Sequence, residues 1–262
     1  MSAPSAVPPS AAYQRAPWIG LAAVLCWSTS VGLFRSVAEH LGPIGGAACV
    51  FTLSALLVTL RFGLPRVAQL RAMHPAYLWG CGLVFVLYEI ALSLSLGYAS
   101  NRTQTLELGM INYLWPSLTI VLATVFGLQR FHAGLVPGVL LAMCGIVLVL
   151  KGDGHLSVQS LWANVQSNPL AYGLAFAAAW LWPCYSVLSK RFSQGANALS
   201  LFLWIVSAVL LVKYGISSEG ALHWTWPAAL QLGLLSGLTA LGYSCWDHGI
   251  RHGNLTVMAV GS

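Results

Sequence analysis

PIGGAACVFTLSALLVTLRF, residues 43–62, decides the fold class. Its first eighteen positions carry no charge, and Arg61 is the first charged residue reached. At 1.5 Å per residue, a helix of this length spans about 30 Å, the thickness of a bilayer's hydrocarbon core. A barrel strand would alternate polar and apolar residues over about ten positions, which this run does not do. Lipid offers backbone groups no hydrogen-bond partner, so the run must satisfy its own as a helix.

Seven further apolar runs surround it, at residues 17–34, 76–99, 105–127, 134–150, 169–188, 198–216 and 226–250. Across the 262 residues only 7% are Asp, Glu, Lys or Arg, whereas 58% are apolar. A water-soluble domain carries about 25% charge to solvate its surface. The expectation is therefore an all-α integral membrane protein. Trp18, Trp79, Trp162, Trp224 and Trp226 lie near span ends, where an amphipathic ring prefers the headgroup zone. Pro17, Pro43 and Pro169 begin spans, where the missing N–H is no loss. Residues 1–15, rich in Pro, Ala and Ser, read as a flexible tail without the apolar core of a signal peptide.

The net charge of +6 does not point to nucleic acid, because the basic residues form no stripe. They sit singly between apolar runs. With the N-terminus inside, Arg15, Arg61, Arg66, Arg71, Arg130, Lys190, Arg191 and Arg251 lie on the inner side, against Arg35, Arg102, Lys151 and Lys213 outside. That asymmetry predicts a cytoplasmic N-terminus. The six cysteines fall inside apolar runs with no CxxC, so neither a disulfide framework nor a metal site is expected. No cofactor is implied, and the sequence leaves oligomeric state open.

The sequence also matches itself at an offset of 153 residues. Gly20-Leu21-Ala22 meets Gly173-Leu174-Ala175, Trp27 meets Trp180, Ser36 meets Ser189, and Gly80 meets Gly233. Asn101-Arg102-Thr103 meets Asn254-Leu255-Thr256, read as a polar turn between paired helices. A first unit of five spans, residues 16–152, makes a second unit from 169 start on the opposite side of the membrane. Such inverted repeats are a signature of secondary transporters. At this offset position 262 corresponds to 109, so eight helices and the start of a ninth are expected from a ten-helix design.

The chain resembles the drug/metabolite transporter superfamily, in its EamA-type branch. The resemblance rests on the Trp27 and Trp180 pair, Ser189-Lys190-Arg191 closing the sixth span, Pro116 in the fourth, and Gly138 and Gly145 along the fifth. The stretch from Glu107 through Asn112, Tyr113 and Trp115 to Pro116 is most similar to YddG-type aromatic amino-acid exporters. Where the family frequently has an acidic residue at the end of the fourth span, Gln129-Arg130 stands instead. The resemblance implies ten helices, a central cavity between two five-helix units, and export of small metabolites, amino acids in particular, across a bacterial-type inner membrane.

Three carboxylates fall within spans, Glu89, Glu107 and Asp247, and should face protein or water. Glu89, beside Tyr88, is expected at the cavity. Glu107, near a helix start, reads as solvated there. Asp247 shares a face with Tyr243, four residues earlier, and either pairs with Arg251 or serves as a gate. Trp27, Asn112, Tyr113, Trp115, Trp180, Trp182 and Tyr185 form a set of aromatic and polar side chains away from the headgroup belts. Most such rings are ordinary packing, but a cavity with rings and a few polar tips suits a zwitterionic apolar solute. The expected substrate-binding set is Trp27, Tyr88, Glu89, Asn112, Tyr113, Trp115, Trp180, Tyr185 and Tyr243. Pro116 and Pro183 predict kinks within helices, with Gly109 and Asp247 as further hinge or gate candidates. Gly20, Gly45, Gly46, Gly138 and Gly145 predict close helix packing. No HExxH or GxSxG occurs, which argues against an intramembrane enzyme. A channel and a lipid flippase of the same fold remain alternatives.

Overall fold

Every regular element among the described residues is helical, as a chain with so few charges requires. The computed structural model describes residues 11–130 and 158–262, with positions 137, 138, 140, 141 and 145 between them. The elements are α1 (Ala11–Ser28), α2 (Ser30–Leu41), α3 (Pro43–Phe62), α4 (Val67–Ala72), a π-helical turn (Ala76–Cys81) continuing as α5 (Gly82–Gly97), α6 (Arg102–Asn112) and α7 (Trp115–Val125). After the gap come α8 (Val158–Ser167), α9 (Pro169–Phe192), α10 (Leu199–Ile216), α11 (Trp226–His252) and α12 (Leu255–Gly261).

Six helical runs are long and apolar enough to cross a bilayer: Pro43–Phe62, Ala76–Gly97, Arg102–Val125, Pro169–Phe192, Leu199–Ile216 and Trp226–His252. The pair Arg15–Ser28 and Ser30–Leu41, bent by 41°, makes a seventh if it is one span. The expected fifth span, residues 134–150, falls mostly outside the described residues.

Two expectations are corrected. Part of the N-terminal tail is helix, since α1 starts at Ala11 and runs through Pro17. Ala11, Ala12, Gln14, Arg15 and Ala16 are good helix formers, and their propensity carries the helix outward past the proline. The first span is broken, because Ser28, Thr29 and Ser30 all return hydroxyls to carbonyls three or four residues back, a local bond that competes with the helix ladder. The kink expected at Pro116 is a break at Tyr113 and Leu114 within the span, which places Pro116 in the first turn of α7. Pro183, by contrast, lies inside the continuous α9.

Helix starts follow from caps. Asn101, Asn168 and Asn254 each accept from backbone amides of the first turn, and Thr225 does the same for α11. Both asparagines of the Asn-x-Thr repeat are therefore N-caps. Pro43, Pro169 and Pro227 occupy first-turn positions.

The most extensive helix pairings are α1 with α11, α3 with α10, and α5 with α9. Small residues and polar bonds seal them. A Cβ on Gly249 would stand 2.9 Å from the Cα of Gly20, so α1 and α11 touch backbone to backbone. Thr52 Oγ1 and Ser207 Oγ are 2.7 Å apart, and Trp204 donates to Thr59 at 2.9 Å, both between α3 and α10. Ser95 donates to the Ala171 carbonyl between α5 and α9 at 2.9 Å. Gly45 and Gly46 pack against Leu222 and Val37 respectively. Gln129, in the position where an acid was expected, accepts from Thr256 at 2.6 Å and ties the end of the fourth span to α12. The five tryptophans assigned to span ends, Trp18, Trp79, Trp162, Trp224 and Trp226, all stand exposed on the outside of the bundle.

Candidate functional site

One helix face from each of several elements converges on a small central cavity. Val24, Trp27, Val31 and Phe34 follow the three- and four-residue spacing of a single face, which continues across the bend between α1 and α2. Tyr88, Leu92 and Leu96 repeat the pattern on α5. Asn112, Tyr113 and Trp115 enter from the break between α6 and α7. Trp182 projects from α9, and Thr239 and Tyr243 from α11. The accessible space is about 60 Å³, about that of two water molecules in the liquid. That is well below the roughly 300–1,000 Å³ that small-molecule sites usually offer.

Trp182 is the hub of the aromatic lining. Its ring lies 4.7 Å from Tyr88, 5.3 Å from both Trp27 and Tyr185, 5.8 Å from Tyr243 and 5.9 Å from Trp246, centroid to centroid. Trp27 and Trp115 meet it edge-on, at interplanar angles of 87° and 85°. Such offset and edge arrangements favour the ring quadrupoles. Trp27 also meets Tyr243 at 5.4 Å and Trp246 at 5.5 Å. The site is thus a shell of rings from both halves of the sequence.

Of the residues expected at the site, Trp27, Tyr88, Asn112, Tyr113, Trp115 and Tyr243 line the cavity. Tyr185 is buried one shell away, 5.1 Å from Phe85. Glu89 is buried beside the lining, where its carboxyl meets the Tyr243 phenol and its Oε1 has no hydrogen-bond partner. The Asn112 amide meets the Tyr88 phenol, and its Oδ1 is likewise unpartnered. Gly109 packs against Val31, where a Cβ would stand 3.2 Å from the valine methyl.

Trp180 does not join them. It is 41% exposed on the outside of α9, whereas Trp182 is 1% exposed. Two residues along a helix turn the side chain by about 200°, so 180 and 182 cannot both face inward. Trp246 was missed by the sequence reading, although a signal existed. It lies three residues after Tyr243 and so shares its face, and its ring stands 5.1 Å from Trp115.

The other two intramembrane carboxylates have structural partners. Asp247 is buried and pairs with Arg251 at 2.7 Å, and Arg251 reaches on to the Gly195 carbonyl at 3.3 Å. Lys190 donates to the Gly253 carbonyl at the same end of the bundle, at 2.6 Å. Glu107 overturns the solvated helix-end expectation, because it is wholly buried. Asn164 donates to both of its oxygens at 3.1 Å, and the Tyr172 hydroxyl donates to Oε2. Residues 158–167 fold over α6 and bring that amide, which the distance in sequence concealed.

No family profile matches the chain. It is 42% identical over 249 residues to the aromatic amino acid exporter YddG of Escherichia coli K12, covering 95% of this chain and 84% of that protein. The aromatic amino acid exporter YddG of Salmonella typhimurium is 41% identical over the same shares. That of Ancylobacter novellus is 27% identical over 92% of this chain and 82% of its own. One solved crystal structure shares the fold, with a TM-score of 0.74 and 24% identity over 94% of this chain and 83% of that one.

Proposed function

The chain belongs to the family of the YddG aromatic amino acid exporters, and we infer from that premise that it exports amino acids, aromatic and other apolar ones foremost. The observation that carries the reading is the ring-lined central cavity with Asn112 and Tyr243 among its polar groups. Rings accept an apolar side chain through area and quadrupole, while a few polar groups orient the head.

The mechanism is alternating access between two inverted five-helix units. The helix pairings support it. An offset of 153 carries the α1–α11 pair onto α9–α5, carries α12–α1 onto α6–α9, and returns α3–α10 to itself. That is the relation a pseudo-twofold axis between the units requires. Gly109, the break before Pro116, Pro183 and Asp247 serve as hinge and gate. The N-terminus is cytoplasmic and the membrane is the bacterial inner one, as the Lys and Arg asymmetry supports. The end carrying Lys190, Arg251 and Gly253 is then the cytoplasmic end, and the end carrying Arg35, Ala99 and Asn168 faces outward.

The test is uptake or counterflow of labelled phenylalanine and threonine by proteoliposomes holding the purified chain, against protein-free vesicles. Saturable flux of phenylalanine is expected. No flux across a broad amino-acid panel refutes the reading, and flux that never saturates indicates a channel.

A further inference from the structure

Buried polar atoms without partners are uncommon, and each asks for a reason. Among the described residues seven side-chain atoms are in this condition, and four of them gather at one place: Trp27 Nε1, Trp182 Nε1, Asn112 Oδ1 and Glu89 Oε1. Trp27, Trp182 and Asn112 line the central cavity, and Glu89 is buried against Tyr243, which also lines it. The other three atoms, on Ser189, Ser236 and Asp247, belong to residues outside the lining.

The four atoms are of two kinds. An indole N–H only donates, whereas an amide or carboxylate oxygen accepts. Donors suit an anion and acceptors a cation. Two donors come from rings that meet edge-on, 5.3 Å apart. The acceptors come from α6 and α5, on other sides of the same space. We propose that the cavity reads both ends of a zwitterionic α-amino acid, its carboxylate by the Trp27 and Trp182 indole N–H groups and its ammonium by the acceptor oxygens Asn112 Oδ1 and Glu89 Oε1. The hydrocarbon side chain lies against Val31, Phe34, Leu92 and Leu96. This assignment rests on the amino-acid export reading and adds which atoms decide that the solute must be an α-amino acid.

The logic is one of desolvation. A charge leaving water for a ring-lined interior needs a partner there. A solute with both ends satisfies all four atoms, whereas one lacking an end leaves two of them buried and unpaired. Sites built around a polar group reject analogues that lack it far more strongly than apolar pockets reject a missing methylene.

The experiment is competition against labelled phenylalanine in proteoliposomes, using unlabelled phenylalanine, phenethylamine, which has no carboxylate, and 3-phenylpropanoate, which has no ammonium. In the wild type both analogues should inhibit at least about tenfold more weakly than phenylalanine. Trp27→Phe and Trp182→Phe should narrow the gap to phenethylamine. Asn112→Leu and Glu89→Leu should narrow the gap to 3-phenylpropanoate. These are ratios within one preparation, so a lower yield of folded variant does not disturb them. Equal inhibition of the wild type by all three compounds overturns the proposal while leaving amino-acid export standing. So do ratios unchanged in all four variants. A wild type that carries no phenylalanine overturns both readings.

Discussion

The indole nitrogen of Trp27 lies against the bare Cα of Gly242, where a Cβ would stand 2.6 Å from it. The missing side chain on α11 is what allows the Trp27 ring to reach the centre of the aromatic cluster. Neighbouring rings hold it there from other sides, so it has little room to yield.

Gly242→Ala should therefore displace the ring at an overpacking cost of about 1–3 kcal/mol. Phenylalanine transport is expected to fall with it. Gly237→Ala provides the control on the same helix, since a Cβ there meets nothing within 4 Å. It should leave transport intact and raise helix stability slightly. Thermal unfolding in detergent and proteoliposome flux check both, and equal behaviour of the two variants would refute the packing argument.

Trp182→Ala and Trp180→Ala should differ sharply, although the residues are two apart. Removing the buried hub is expected to cost about 3–5 kcal/mol. Removing the outward ring should change stability by less than about 0.5 kcal/mol and leave flux near wild type. A transport defect in Trp180→Ala with normal unfolding would show that its surface does more than meet lipid.

That pair also marks the reach of sequence reading. Hydrophobic run length located the spans, because lipid leaves helices no alternative: six of the expected runs among the described residues are continuous spanning helices, and the first is the bent pair Arg15–Ser28 and Ser30–Leu41. The six expected residues that line the cavity are polar or aromatic side chains in runs otherwise aliphatic. The repeat offset matches Trp180 to Trp27, whereas helix rotation decides which side chain faces inward, and it turns Trp182 there. The Glu107 clasp was hidden for another reason. Its partners Asn164 and Tyr172 are more than fifty residues distant, and polar pairing at that range leaves no periodic trace.

The clasp is itself testable. Tyr172→Phe takes one donor from a wholly buried carboxyl group, and Asn164→Ala takes another. Each should destabilise by about 1–3 kcal/mol, the cost of leaving a buried acceptor short of partners. Glu39→Gln disturbs only the partly exposed ion pairs with Arg35 and Arg102 and should stay within about 1 kcal/mol. Unfolding midpoints in detergent rank the three, and a Tyr172→Phe midpoint above that of Glu39→Gln would count against the clasp.

Asp247 and Arg251 remain to be sorted between strut and gate, and a double-mutant cycle separates the roles. The pair is buried, with 2.7 Å between Oδ2 and Nε. Removing either partner alone leaves an unpaired charge in the interior, at a cost of about 3–5 kcal/mol. Asp247→Leu and Arg251→Met should each be strongly destabilised. The double variant should recover much of the loss, since apolar replacements of buried pairs are often neutral. Transport then decides. If the pair only braces α11, flux returns along with stability. If it closes the end of the cavity nearest Gly195 and Gly253, the double variant folds but leaks or stalls, because that end has lost the charge contact between α11 and the Gly195 carbonyl. The proposed gate predicts the second result, and full recovery of coupled transport would reduce Asp247 to a strut.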